Sequence, residues 1–220
     1  MRELIKSGDH YITADVSIKR TSPLNIVISH GSNNDMNYKL IFDLFNLLKK
    51  TYTVLRFNFS YVDHKLRKSN ARNKKEIESC IKRIGNKNIV LIGKSYGGVL
   101  STKIAAENKF NILKVIVLGY PLHEWNNPKK VFDYSYLKKL KGRVSILIGD
   151  NDPNCKLELF KKLLPDTHFE IIRNADHSYR PIDTTSTIGE NEKAVLKIVK
   201  RELSDIDIKE YYNNFKWMQK

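Results

Sequence analysis

The stretch VLIGKSYGGVL (90–100) carries two incompatible signals. Gly-Lys-Ser is how a phosphate-binding loop ends, whereas Gly93-x-Ser95-x-Gly97 is how a serine is presented at a sharp strand-to-helix turn. A phosphate loop needs an earlier glycine at position 88, because free backbone N–H groups must wrap the anion before the helix starts. That position is Asn88, and the residues that follow it, Ile89-Val-Leu-Ile92, form an apolar run that reads as a buried strand. No phosphate cradle can be built from a strand. The serine turn instead requires what is present: an apolar strand, small residues two before and two after the serine, and then a helix, which Val99, Leu100, Lys103 and Ile104 begin. The pentapeptide is short enough to arise by chance, so its surroundings must decide.

Outward from this stretch, short Ile/Val-rich runs recur at Asn25 to Ser29, Asn88 to Ile92, Lys114 to Leu118 and Val144 to Ile148. Continuous apolar runs of this length mark strands covered on both faces. Tyr52 to Phe59 and Phe169 to Ile172 read as two more strands, and the period-2 alternation of Ile12, Ala14, Val16 and Ile18 predicts an antiparallel edge strand. Between them lie helical stripes: Leu40, Leu44, Leu47 and Leu48, with Asp35 as the expected cap; Ile77, Cys80, Ile81 and Ile84; and Ala194, Val195, Ile198 and Val199, continued by Ile208, Tyr211, Tyr212 and Phe215. The alternation of β and α predicts an α/β fold with a mostly parallel sheet and helices on both faces. With no repeat or Pro/Gly-rich linker, residues 1–220 read as a single domain.

A serine hydroxyl attacks only when a base removes its proton and an acid holds that base. In α/β-hydrolases, whose serine turn this stretch resembles, these groups follow later strands in the order serine, acid, histidine. The strand ending at Ile148 runs into Gly149-Asp150-Asn151-Asp152-Pro153, and the strand ending at Ile172 into Arg173-Asn174-Ala175-Asp176-His177. His177 is thus the expected base, and Asp150 and Asp152 compete for the acid. An oxyanion site needs two N–H donors. Tyr96, after the serine, supplies one; the loop His30-Gly31-Ser32-Asn33 supplies the other, from Ser32 with Asn33 in reserve. His30 is expected to orient that loop, and His10, His64, His123 and His168 show no metal-ligand spacing. Neither metal nor cofactor is expected.

Taken together, SHGSNNDM (29–36), RFNFSY (56–61), IGKSYGG (92–98), LGYPLH (118–123), IGDNDPN (148–154) and NADHSY (174–179) resemble the α/β-hydrolase superfamily. Within it the likeness is to small, cap-poor hydrolases related to dienelactone hydrolase and to testis-expressed and chromatin-associated hydrolase-like proteins. The resemblance implies the α/β-hydrolase fold. It also selects Asp152, as the acid of a Gly-x-x-Asp turn, and His177, as the histidine of an Ala-Asp-His segment. Relatives differ in substrate and some act as interaction subunits, so the likeness does not fix the activity.

Composition bounds the rest. The chain has 220 residues, 41% of them hydrophobic, and a net charge of +15. No run is long and apolar enough to cross a bilayer, and MRELIKSGDH lacks the apolar core of a secretory signal, which predicts a soluble cytoplasmic protein. Cys80 and Cys155 match no redox or metal spacing and are expected to be buried thiols. The interval from Tyr120 to Gly142, where larger relatives insert a cap, is too short for one; Leu122, Trp125 and Tyr134 are its candidate acyl-pocket walls. The acid-free run containing Lys65, Arg67, Lys68, Arg72, Lys74 and Lys75 would draw an anionic ester if it bordered the site. The leading expectation is a serine esterase or thioesterase acting on a small molecule. Its alternative is a weakly catalytic scaffold that binds a protein or nucleic acid through its basic surface. Nucleic acid is the less favoured partner, because the charges are mostly Lys, spread along the chain without aromatic stacking positions.

Overall fold

The Ile/Val-rich runs are strands whose side chains are buried on both faces of one sheet. The computed structural model describes residues 1–208, whose strands are β1 (Arg2–Ser7), β2 (His10–Ser17), β3 (Asn25–Ser29), β4 (Thr53–Phe57), β5 (Ile89–Lys94), β6 (Ile112–Leu118), β7 (His123–Glu124), β8 (Asn127–Val131), β9 (Val144–Gly149) and β10 (His168–Ile172). The helices are α1 (Lys39–Leu48), α2 (Ser60–Asp63), α3 (Asn70–Ile84), α4 (Tyr96–Ala106), α5 (Leu157–Leu163) and α6 (Ile188–Ser204), with a 3-10 turn at Ser135–Leu140. Eight strands form the main sheet in the order β1-β2-β4-β3-β5-β6-β9-β10. All neighbours from β4 to β10 run parallel, while β2 runs antiparallel to both of its neighbours, β1 and β4.

Alternate residues of each central strand serve different cores. Ile26, Ile28, Val90, Ile92, Ile116 and Leu118 pack under α1 and α6, whereas Val27, Leu91, Val115, Val117, Ile146 and Ile148 pack under α3, α4 and α5. The predicted stripes supply the facing surfaces: Leu40, Leu44 and Leu48 on α1, the four named residues of α3, and Val195 and Val199 on α6 are buried. Of the C-terminal extension of the last stripe, Tyr211, Tyr212 and Phe215 lie outside the described residues. Both cysteines are buried and unpaired, and burial raises both thiols.

Two local expectations need correction. The strand containing Ile12 is not at the edge, because β1 pairs along it, Ile5 opposite Ile12, after a two-residue turn in which Gly8 adopts φ 67°. Asp35 does not cap α1. Its carboxylate accepts from Asn37 N–H at 2.7 Å and its carbonyl from Tyr38 N–H at 3.2 Å, closing a separate turn before the helix starts at Lys39. In the interval expected to lack a cap, the chain forms only the β7–β8 ribbon and the 3-10 turn.

The sheet order places the site. From β3 the chain moves to β4 on one side and, through α3, returns to β5 on the other. The loops after β3 and β5 therefore leave their strands in opposite directions and open a crevice at the carboxyl edge, as parallel sheets do where strand order reverses.

Candidate active site

Ser95 follows β5 directly and stands just before α4, at φ 50° and ψ −113°. A non-glycine residue is strained in this region and keeps the conformation only when its surroundings impose it. Here Ser95 N–H is fixed to the Leu118 carbonyl at 3.0 Å, and the Ser95 carbonyl accepts Val99 N–H at 3.0 Å as the helix begins. The strain aims the side chain out of the sheet edge. Ser95 Oγ lies 2.9 Å from Nε2 of His177, and Nδ1 of the same ring lies 2.7 Å from Oδ2 of Asp152. The Asp152 side chain is fully buried, and its second oxygen accepts Asn154 N–H at 2.7 Å. A carboxylate with one lone pair already committed to the backbone has a fixed orientation, so it imposes one on the ring. Because the carboxylate can only accept, the His177 proton sits on Nδ1 and Nε2 is left to accept from the serine.

Asp150 has a different task. Its carboxylate accepts Ala175 N–H at 3.1 Å and the Asn151 amide at 2.8 Å, tying the turn after β9 to the loop that carries His177. Asp176 likewise accepts Ser178 N–H at 2.7 Å and pairs with Arg180 at 2.9 Å. Burial lowers the pKa of His177 below its usual 6.5, the charge of Lys94 lowers it further, and Asp152 opposes both.

The loop after β3 is held by His30, as expected, and by Tyr61, which the sequence did not single out. His30 is buried, donates from Nδ1 to the Gly31 carbonyl at 2.7 Å, and accepts Phe59 N–H on Nε2 at 3.1 Å. It is a neutral brace, and burial pushes its pKa down to about 4. The Tyr61 hydroxyl donates to the same carbonyl at 3.0 Å. Since a trans peptide points its N–H opposite its C=O, anchoring the Gly31 carbonyl fixes the direction of Ser32 N–H. Tyr96 opens α4, so its N–H is one of the helix donors with no intrahelical acceptor. The Tyr96 ring is held by hydroxyl bonds to Asn70 at 2.9 Å and Asn73 at 3.0 Å. His123 also proves to be structural. Its Nε2 accepts Lys156 N–H at 2.9 Å, and its strand and neighbours donate to the carbonyls of Pro153 and Asn154, clamping the turn that carries Asp152.

Ser95, Tyr96, Ser32, His177 and Trp125 all border one cavity of about 790 Å³. Its other walls include Tyr120, Pro121, Phe132 and Tyr136, so the acyl-pocket expectation needs revision. Leu122 is wholly buried in the core, and the wall positions expected of Leu122 and Tyr134 belong to Tyr120 and Tyr136, whose hydroxyls are hydrogen-bonded at 2.7 Å. Lys65 and Arg67 are not brought to this cavity. After β4 the chain turns through α2, leaving both side chains exposed, while Lys68 reaches toward Asn33 at 3.4 Å and Lys74 pairs with Glu107. The cations on the cavity wall are instead Lys94, Lys103 and Arg180. Of these Lys94 is buried and donates to the His177 carbonyl at 2.6 Å; a lysine reads in sequence as a solvent-facing charge, so nothing there singles it out.

One group of side chains has the composition of a metal site. His168, Glu170 and Glu202 converge where β10 begins and α6 passes, a meeting that linear spacing does not reveal. Their carboxylates are already engaged by cations of the chain, Lys114 at 2.6 Å from Glu202 and Arg201 at 2.6 Å from Glu170. The cluster also lies at the opposite sheet edge from Ser95, since His168 starts a strand parallel to the one Lys94 ends.

The family model of the alpha/beta hydrolase domain matches residues 22–207. The chain belongs to the alpha/beta hydrolase family. Solved members share its fold over nearly the full length. An alpha-beta serine hydrolase homologue from Coxiella burnetii superposes with a TM-score of 0.70 at 16% identity, covering 92% of this chain and 97% of its own. A serine hydrolase without lid from Xanthomonas campestris gives 0.65 at 14% identity, covering 91% and 94%, and an esterase from Pyrococcus furiosus 0.66 at 17%, covering 91% and 92%. Among curated proteins no sequence matches significantly. As in the lidless relative, this alpha/beta hydrolase leaves the approach to its serine uncapped, and among the described residues no helix is long and apolar enough to cross a membrane.

Proposed function

We propose that the chain is a serine hydrolase that cleaves a carboxylic ester or thioester of a small molecule through an acyl-Ser95 intermediate. The observation that carries this reading is the unbroken series Ser95–His177–Asp152 at 2.9 and 2.7 Å, opening onto a cavity. Nε2 of His177 takes the serine proton as Oγ attacks the acyl carbon. The imidazolium so formed faces the buried carboxylate of Asp152, which stabilises it. The negative charge that develops on the acyl oxygen falls to the N–H groups of Tyr96 and Ser32. His177 then returns the proton to the leaving oxygen or sulfur, and the same nitrogen activates the water that releases the acid. Aromatic walls at Tyr120, Trp125 and Tyr136 suit an apolar or aromatic portion of the acyl group, within an otherwise amide-rich lining.

A fluorophosphonate probe should label the wild-type chain at one to one, and Ser95→Ala should abolish the label; an unlabelled wild type under conditions where a known serine esterase reacts would overturn the reading. The pH profile supplies a second check. Only neutral His177 can accept the serine proton, so kcat/KM rises with pH through the folded pKa of that ring. Because burial and Lys94 lower this pKa, the rise should be half complete below pH 6.5. An acidic limb at or above that value, measured with a water-soluble ester between about pH 4 and 9, would contradict the environment described for His177.

A further inference from the structure

Lys94 ends β5 and immediately precedes Ser95, yet its side chain runs beneath the turn and is only 2% exposed. Its Nζ donates to the main-chain carbonyl of His177 at 2.6 Å and sits 5.6 Å from the centroid of the Tyr179 ring. Gly119, at φ 69°, leaves it room: a Cβ at that position would lie 2.9 Å from Nζ and 3.2 Å from Cε1 of His177. The direct partner is therefore a carbonyl and an aromatic face, not a carboxylate. An ammonium buried this way weakens the fold, and burial lowers its pKa to about 8. A methionine of similar length would fill the same space without that cost. What the charge does at the site accounts for its presence.

We propose that Lys94 is a positioning residue for His177: its bond to the His177 carbonyl holds the imidazole between Ser95 and Asp152, and its positive charge opposes protonation of that ring in the resting state. The proposal rests on the reading of Ser95 as a nucleophile with His177 as its base. The charged groups facing His177 come from three elements. Asp152 after β9 and Asp176 in its own loop favour the imidazolium, Asp176 being shared with Arg180, and Lys94 from β5 opposes them. Removing Lys94 leaves burial as the main opposition to the two carboxylates and the His177 backbone without its anchor. The base is then protonated at higher pH and held less firmly.

The test is Lys94→Met beside Lys94→Gln, with both variants first checked for folding by circular dichroism and thermal melting. Lys94→Met should raise the acidic limb of kcat/KM by about one pH unit, the ordinary consequence of losing a nearby like charge. It should also lower kcat roughly 10- to 100-fold at the optimum with KM little changed, as loss of alignment at the reacting centre does. Lys94→Gln keeps a donor near the carbonyl but not the charge, so it should show the same limb with a smaller loss of kcat. The His177 ring titration, followed by NMR in wild type and Lys94→Met, reads the charge effect whether or not the chain turns over an ester. An upward shift supports the proposal even if no probe labels Ser95. An unmoved His177 titration, or folded variants with an unmoved limb and unchanged kcat, overturns it even if labelling succeeds.

Discussion

Asp152→Asn should lower kcat about 10⁴-fold while leaving the fold and KM nearly intact, the scale of loss that follows when a serine base is locked in the wrong tautomer. The reason can be traced atom by atom. One carboxylate oxygen of Asp152 accepts Asn154 N–H at 2.7 Å, and the other faces Nδ1 of His177 at 2.7 Å. Asparagine offers one oxygen and one NH2, and the backbone donor claims the oxygen. The NH2 is then turned toward Nδ1, which must become the acceptor, so the ring proton moves to Nε2. In that tautomer His177 donates toward Ser95 and cannot take its proton. Asp150→Asn is the matched control. The oxygen that receives Ala175 N–H at 3.1 Å survives the change, and Asp150 makes no contact with the ring, so its loss should be less than about tenfold. Steady-state kinetics on both variants, with circular dichroism to verify folding, decide the matter. Near wild-type turnover by Asp152→Asn together with an inactive Asp150→Asn would move the acid role to Asp150.

How much of this was visible in the chain itself follows from what sets each feature. The parallel strands are legible because a strand covered on both faces has no polar side, and Ile89 to Ile92 or Val144 to Ile148 could hardly be anything else. The edge strand β1 was not legible. RELIKS has a single buried apolar side chain, Ile5, and it becomes a strand because β2 offers free N–H and C=O groups to a chain returning through Gly8 and Asp9. Ser95, His177 and the rival acids Asp150 and Asp152 could be picked out because each stands just past a strand end, and parallel strands bring all their carboxyl ends to one edge; the preference for Asp152 comes from the likeness to the α/β-hydrolase superfamily, not from position. Cavity walls follow no such rule. Between β6 and β9 the backbone is irregular, so nothing in the spacing of Leu122 and Tyr120 tells that the first enters the core and the second borders the cavity. Charge misleads in the same way. The exposed run from Lys65 is conspicuous in sequence, yet none of its cations lines the cavity, whereas the single Lys94 lies against the base.

Gly93→Ala should destabilise the protein by on the order of 3 kcal/mol or more, the upper range for forcing atoms into a filled interior. The added Cβ would stand 2.5 Å from Gly97 C and 2.5 Å from Gly98 Cα, both backbone atoms of α4 that no rotamer change can move. Relief requires α4 to retreat from β5. A Cβ at Gly98 would likewise stand only 2.5 Å from the Val117 side chain, so α4 is already seated closely on the sheet there as well. For a chain of this length the loss corresponds to a fall of roughly 10 °C in melting temperature. Because Ser95 is the hinge between β5 and α4, the same displacement should relax its φ of 50° and draw Oγ away from His177, so kcat falls as well in any folded fraction. Gly189→Ala gives the opposite sign. Gly189 lies in the first turn of α6 with only the Thr187 hydroxyl, at 3.9 Å, near the position of a Cβ, and alanine in a helix is favoured over glycine by up to about 1 kcal/mol. Denaturant unfolding of the two variants separates packing from propensity. A Gly93→Ala protein as stable as Gly189→Ala would mean that α4 is not seated on β5 as described, and the strained geometry assigned to Ser95 would fall with it.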